Sequence, residues 1–539
     1  MRLHVDRRTI HRRDPLNDQP LYDVAIIGYG PTGVTAANLL GQRGLRVVVL
    51  ERDPEVYGRA RAISTDEEVM RIWQSVGLDE QLQTDMLPGG VVAFVDADGR
   101  PFTRVQPRSR HCGHPPQQFI YQPAVDATLR SGAARFDTVT VLTRHQCLKV
   151  ANHPDYAEVL AADLTDDTFV RLRAKYVIAA DGGSSATRGQ LGIGYQGTTF
   201  TERWIVIDTK VLRDWEGSSQ LRFHCDPARP TVDCPTPLGH HRWEFPVRDG
   251  EDEDHLVTHE AIWEILRGQG VTPDHVEILR SVVYSHHVRV ADRWRAGRVF
   301  LAGDAAHAMP PWIGQGMASG VRDAANLCWK IADVLAGVLP DTALDSYQIE
   351  REPHVRETTA HAVFVGRIIT ERREWIAAVR NRVLRAASMV PGYSRAMVES
   401  KWIPAARYTA GLLASEKHPA RGRQIPQPWV LDSTGTRVRL DDALGARWLV
   451  LTSDGRGLPS VWDGVPVVRI RSCGATPGPD TIVDIDGDLT AWLAEHSATV
   501  VALRPDGFVY AAARAGAPLP SPPADFRAPA HTRSRRTTP

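Results

Sequence analysis

Three short segments hold residue types that could do chemistry together. The first is Gly28-Tyr29-Gly30-Pro31-Thr32-Gly33. Its glycines suit a pyrophosphate. Gly28 permits a tight turn, Gly30 lets the phosphates approach the backbone, and Gly33 lets the following helix pack closely. The start of that helix offers unbonded N–H groups and a partial positive charge. Glu51 closes the next apolar run, 23 residues after Gly28. A carboxylate there can hold the ribose hydroxyls of an adenosine. The other two segments are Asp181-Gly182 and Gly303-Asp304, each at the end of an apolar run. An Asp at the carboxyl end of a parallel strand faces the crevice where ligands bind, and can accept from a sugar alcohol. Either Asp could instead cap a helix.

The elements that must position these groups are legible as buried strands and helices. Residues 22–28, 46–51, 176–181 and 298–304 are short apolar runs, as expected of strands covered on both faces. The first two flank a small-residue helix that stops near Gly44, giving a right-handed βαβ unit. Residues 90–105 read as a hairpin turning at Asp98-Gly99, and 200–290 as antiparallel sheet. Ser64 with Glu67, or Thr65 with Glu68, fits a capping box ahead of a helix carrying Val69, Ile72, Trp73 and Val76 on one face. A long helix follows Gly316, and a charged helical stretch runs over 342–415. Pro426–Gly435 reads as a linker before a small α/β module, and the Pro-rich, basic end reads as disordered.

Composition narrows the class. Lys+Arg and Asp+Glu are both 64 among 539 residues. A balanced charge argues against nucleic acid or an anionic membrane as the main partner. No apolar run approaches the ~18 residues of a membrane span. Residues 1–20 lack the apolar core of a signal peptide and read as a flexible leader. Six cysteines in so long a chain give no disulfide framework, so a cytoplasmic setting is expected. Cys225, Cys234, His240 and His241 fit no common zinc spacing, and no metal is expected.

The ordered set G-x-G-x-x-G, D-G and G-D-A-A-H-x-x-P-P-x-x-G-Q-G, over residues ~20–360, resembles the single-component FAD-dependent aromatic hydroxylases, the group A flavoprotein monooxygenases. The segments 61–64, 122–126, 225–230 and 504–509 resemble the branch acting on hydroxyphenylpropanoate-like acids. The resemblance implies an α/β architecture: a Rossmann-like FAD-binding domain (21–195 and 286–360) with an inserted antiparallel β substrate domain (196–285). A helical segment (361–425), a thioredoxin-like module (426–514) and a disordered tail (515–539) would follow. The module has no C-x-x-C, since Cys473 stands alone, so a structural role or an assembly surface for a homodimer is expected of it rather than redox chemistry.

The resemblance also assigns roles. Gly28, Gly30, Pro31, Thr32, Gly33, Glu51 and Arg52 would bind the ADP half of FAD. Arg61 would lie near the pyrophosphate and Gln122 beside the cofactor. Asp181 and Gly182 belong to a motif associated with FAD and NAD(P)H. Gly303 and Asp304 would hold the ribityl chain, and Pro310 and Pro311 would flank the isoalloxazine. Gly314, Gln315, Gly316 and Met317 would aim backbone N–H groups at the flavin pyrimidine, where charge develops on reduction. Ala318 departs from the Asn usual in close relatives, removing a polar contact from that region. The implied reaction takes NADH or NADPH and O2 and hydroxylates a phenolic substrate through a flavin C4a-hydroperoxide. The alternative within the family is tailoring of polyketides or antibiotics, by hydroxylation or Baeyer–Villiger insertion. His224, Tyr284 and His286 are catalytic candidates, and Trp243 and Trp312 are candidate walls for an aromatic substrate.

Overall fold

Strands rich in Val, Ile and Ala must be covered on both sides, and they build the parallel part of a mixed eight-stranded sheet. In spatial order it runs Val299–Leu301, Thr168–Ala179, Leu21–Ile27, Val47–Glu51 and Val139–Thr143. The chain crosses from Leu21–Ile27 to neighbours on either side, which opens a crevice at the carboxyl ends of the strands. Helices Pro31–Gln42 and Gly316–Leu335 pack on this sheet and on each other, around a core that includes Val34, Leu40, Val321 and Leu327. This computed structural model describes residues 20–58, 60–107, 109, 111–390, 404–453 and 460–529. The expected leader, apart from Pro20, lies outside them, as do residues 530–539 of the expected tail.

A second sheet stands over the crevice. Its strands Tyr195–Val211, His240–Pro246, Thr231–Thr236, Leu221–His224 and Val276–Ala291 are joined by the hairpin Val92–Val95 and Pro101–Val105. Side chains alternate between its faces. Ile205, Ile207, Trp243 and Phe245 turn outward onto helix His259–Arg267. Trp204, Phe223 and Val232 turn inward with Trp312.

Four local expectations change. The helical stretch expected over 342–415 holds helices Ser346–Ile369 and Glu374–Ser388, but residues 404–425 carry no helix, and 391–403 lie outside the described residues. Helix Glu67–Gln74 is capped by Asp66, whose Oδ1 accepts from the N–H groups of Glu68 and Val69. Ser64 and Thr65 are not the caps, because Ser64–Asp66 is drawn into a strand with Gln117–Phe119. The expected linker at 426–435 holds the strand Trp429–Leu431, and Gln427 is buried against Gln74 and Cys112. The first part of the expected disordered tail is packed: Leu519 is buried, and the Pro520 carbonyl accepts from Trp462 Nε1 at 2.8 Å.

The third sheet contains Leu449–Thr452, parallel to Val467–Ser472 and antiparallel to Val500–Leu503, which pairs with Val509–Ala513. A buried ion cluster ties this module to the rest. Glu350 accepts from both Arg504 NH groups at 2.8 and 2.9 Å and from Lys330 Nζ at 2.8 Å. Burial pushes the Glu350 carboxyl up, but Arg504 and Lys330 outweigh it and hold it at about 2. Burial also pulls Lys330 down to about 8, against the attraction of Glu350. A carboxyl depressed in the folded state stabilises fully above its unfolded pKa of about 4.3, and that stabilisation is lost as pH falls toward about 2. Denaturant midpoints are therefore expected to fall between pH 4.5 and 2.5, and Glu350→Gln should flatten that part of the profile.

Candidate active site

A cavity of about 880 Å³ runs from the carboxyl ends of the parallel strands to the inner face of the second sheet. At its first end the glycine turn behaves as its spacing predicts. Gly28 has φ +96°, in the left-handed region, where a side chain is strained and would strike the Ala180 carbonyl. A methyl group on Gly33 would run into the Gly28 carbonyl, whereas at Gly30 it would meet nothing. Gly30 therefore leaves open room beside the start of helix Pro31–Gln42. Glu51 is oriented by the N–H groups of Tyr29 (2.8 Å) and Asp53 (2.9 Å), and both Glu51 and Arg52 line the wall.

Arg61 and Asp304 face the middle of the cavity. The Arg61 guanidinium lies over the Tyr57 ring and makes no ion pair among the described residues. Its backbone N–H and that of Ala62 donate to Gln122 Oε1 at 3.0 and 2.8 Å. Gln122 thus holds the Arg61 loop in place, although it also lines the cavity. Asp304 is surrounded by protein, yet its side chain is open to the cavity. No hydrogen bond reaches its carboxylate among the described residues. Burial raises its pKa, with His307 and Arg61 offsetting part of the effect.

Asp181 is different. Its oxygens accept from Ser185 Oγ at 2.5 Å and the Thr187 N–H at 3.1 Å, so it braces the start of the short helix Ala186–Gln190, whose cap is Ser185, while lining the cavity beside Gly182. Gly33, Gly303 and Pro310 lie behind the wall rather than on it. A methyl group on Gly303 would press on Thr32 Oγ1.

Helix Gly316–Leu335 starts at the cavity, with Gln315, Gly316 and Met317 on the wall. The N–H groups of Gly316 and Met317 have no backbone acceptor among the described residues, as the first turn of a helix requires. Gly314 does not add a donor: its N–H closes the Pro311–Ile313 turn onto the Pro311 carbonyl at 2.8 Å. Ala318 is fully buried in the main core, so its methyl group packs there.

The far end is apolar and aromatic, lined by Val92, Leu221, Phe223, Val232 and Trp312. Of the five residues proposed for substrate or catalysis, only Trp312 reaches this wall. The period of two explains the others. His224 and Trp243 fall on the outward face. His224 bonds Asp233 at 2.6 Å, and Trp243 packs against Trp215 and His241. Burial pushes Asp233 up, but His224, His241 and Arg222 hold it well below the carboxylate range, which makes His224 part of a structural ion cluster. Tyr284 and His286 are on the inner face, one layer behind the wall. His286 is wedged between Trp204 and Trp312, and burial pulls it down to about 4.

The inner face also carries Arg242 and Glu244, which sequence reasoning passed over for the larger Trp243 between them. Glu244 lines the cavity. It accepts from the Tyr284 hydroxyl at 2.9 Å, and Arg242 approaches its other oxygen at 3.9 Å. Burial raises the Glu244 pKa, with Arg242 and Tyr284 offsetting part of that effect. Asp323 was also missed. From inside helix Gly316–Leu335 it accepts from the Gly303 N–H (3.0 Å), His307 Nε2 (2.6 Å) and Arg351 Nε (2.9 Å), fixing the loop that carries Asp304.

Open space at Gly30, together with a guanidinium, a carboxylate and a helix N-terminus that are unpartnered among the described residues, suits a dinucleotide cofactor with phosphates, a polyol and an anion-forming ring. The comparisons agree with this class. The family described as FAD binding domain matches residues 21–362, and the HcaD C-terminal domain matches 422–520. The chain belongs to this FAD-binding family and is an FAD-dependent aromatic monooxygenase; NAD(P)H and O2 are the co-substrates typical of the class. It is similar to the 3-(3-hydroxyphenyl)propionate/3-hydroxycinnamic acid hydroxylase of Mycolicibacterium smegmatis, 34% identical over 511 residues that cover 91% of this chain and 90% of the relative. The protein so named from Escherichia coli is 34% identical over 512 residues, covering 91% of each chain. In fold it is similar to a flavin-dependent monooxygenase solved with FAD and substrate, with TM-score 0.76 and 22% identity over 92% of this chain and 96% of that one. Among the described residues no helix is long and apolar enough to cross a membrane.

Proposed function

We propose that the protein ortho-hydroxylates a phenolic acid of the hydroxyphenylpropanoate type. The observation that carries this reading is the cavity itself. One end has the polar groups a flavin dinucleotide needs, and the other is an apolar slot walled by Phe223 and Trp312. Named relatives at 34% identity over about nine-tenths of the chain support the substrate class.

In this reading Gly30, Glu51 and Arg61 hold the ADP half of FAD, Asp304 accepts from the ribityl hydroxyls, and the Gly316 and Met317 N–H groups face the pyrimidine edge. Bound FAD supplies hydride acceptance from NAD(P)H and activation of O2. The chain's own residues position the ring, keep the apolar end dry and orient the phenol. Asp181, by holding Ser185 and the Thr187 N–H, shapes the Gly182 turn beside the cofactor. The arrangement of parallel and antiparallel strands in the C-terminal module supports a thioredoxin-like reading. With Cys473 exposed and alone, the module is proposed to act as a structural and dimer-forming unit.

A panel of phenols with NADH or NADPH, read by product mass, tests the substrate class. Hydroxyphenylpropanoate-like acids are expected to gain one oxygen on the ring. Oxygenated product only from large polycyclic substrates would overturn the reading in favour of polyketide tailoring.

A further inference from the structure

We propose that Glu244 is the group that accepts the phenolic proton, making it a catalytic residue for the hydroxylation. This rests on the phenolic-substrate reading above. The argument begins with placement. Among the inner-face residues of strand His240–Pro246, Glu244 is a carboxylate on the cavity wall, near the apolar slot of Phe223, Val232 and Trp312. Tyr284 bonds one of its oxygens, and among the described residues the other has only the 3.9 Å approach of Arg242.

The carboxylate is also held rigidly to the flavin side of the cavity. Arg242, two residues away on the same face, donates to the carbonyls of Arg61 (2.9 Å) and Ala60 (2.5 Å), and to Asp208 at 2.7 Å. The strand carrying Glu244 is thus bolted to the loop proposed to meet the FAD pyrophosphate. A phenol in the slot would meet this acceptor at a fixed place relative to the cofactor. The histidine and tyrosine candidates cannot serve in this way. His224 is on the other face, His286 is behind Trp312, and Tyr284 donates to Glu244 itself.

The step is a simple proton transfer. The phenol O–H bond breaks, the proton bonds to a Glu244 oxygen, and the electron pair stays on the phenolate. That charge enriches the ortho and para ring carbons, where an electrophilic oxygen is accepted. Oxygen transfer leaves a neutral ring ketone that still carries its ring hydrogen; that proton passes to the oxygen left behind by the transfer, and the product phenolate so formed takes its own proton back from Glu244, restoring the carboxylate. The charged and titratable groups facing Glu244 are Arg242 on its own strand, Asp208 on Tyr195–Val211 and Tyr284 on Val276–Ala291. Burial and Asp208 raise the Glu244 pKa, while Arg242 and Tyr284 lower it, and the net shift is upward. A raised pKa makes the carboxylate a stronger base, in the direction a general base needs.

Glu244 accepts a proton only when ionised, so the rate must fall as pH drops through its raised pKa. The experiment uses the FAD-loaded full chain with 3-(3-hydroxyphenyl)propionate, measuring kcat, KM and hydroxylated product per NAD(P)H consumed across pH 5–9. Glu244→Gln is expected to lower product formation at least ~100-fold, the lower range for a general base. It should abolish the acid limb and change KM far less. Tyr284→Phe removes a donor that favours the ionised carboxylate, so its acid limb should move to higher pH. If Glu244→Gln keeps the wild-type rate and limb, the inference is wrong. If that variant loses FAD or fails to fold, an unmoved limb in Tyr284→Phe overturns it. Failure of the underlying substrate reading shows separately, as wild-type enzyme that hydroxylates no phenol.

Discussion

Asp323→Asn is expected to cost about 3–5 kcal/mol of folding stability, the range for removing one partner of a buried ion pair. Asp323 is fully buried and stands between Arg351, at 2.9 Å, and His307, at 2.6 Å. Burial alone would raise its carboxyl, but His307 and Arg351 reverse the shift and hold it below the ordinary value. The amide keeps the shape and loses the charge, leaving Arg351 uncompensated with no water to solvate it. The third bond, from the Gly303 N–H, ties this cluster to the turn before Asp304. Loss of stability and loosened FAD binding should therefore appear together. Urea unfolding of apo and FAD-loaded protein, with flavin release followed by fluorescence, checks both. A change of less than about 1 kcal/mol would mean that the cluster is not the clamp described here.

Asp304→Ala is expected to weaken FAD binding about 10- to 100-fold, which corresponds to a charge-assisted hydrogen bond of about 1.5–3 kcal/mol. The carboxylate faces the cavity and accepts no hydrogen bond among the described residues, so it is available to donors from a bound cofactor. Its raised pKa gives the prediction a pH signature. Donors from bound FAD favour the ionised form, so affinity should fall as pH drops through that raised value. Asp304→Asn keeps an acceptor oxygen and should lose less. Fluorescence titration of apo variants with FAD reads the effect. If Asp304→Ala purifies fully yellow with unchanged affinity, Asp304 does not hold the cofactor.

The cofactor end of the cavity was legible in the sequence because its residues are local. Gly28, Gly30 and Gly33 work through backbone shape within one turn, and Glu51 lies a single βαβ unit away. The Gly314–Met317 segment is likewise a turn and the start of its own helix, and only the closure of the Gly314 N–H within that turn was unreadable. The substrate end was legible only at Trp312. Its wall comes from strands far apart in sequence, and a one-residue shift decides whether a side chain faces the cavity or the outer helix. Trp243 and Glu244 are adjacent, and the larger aromatic drew the assignment although it points outward. Asp181 shows a third kind of ambiguity: strand-end placement was visible, but its bracing of the next helix depended on Ser185 and Thr187 folding back. Asp323 and Arg242 act by reaching other segments, 20 and 181 residues away, and nothing local marks such contacts.

The central claim is that this cavity joins FAD to a phenol so that one atom of O2 enters the ring. Turnover of FAD-loaded enzyme with 3-(3-hydroxyphenyl)propionate, NAD(P)H and isotopically labelled O2 tests it directly by product mass. The account predicts a dihydroxylated ring carrying one labelled oxygen, formed in step with NAD(P)H consumption. Unlabelled product, or NAD(P)H oxidation yielding only hydrogen peroxide with every phenol, would contradict it.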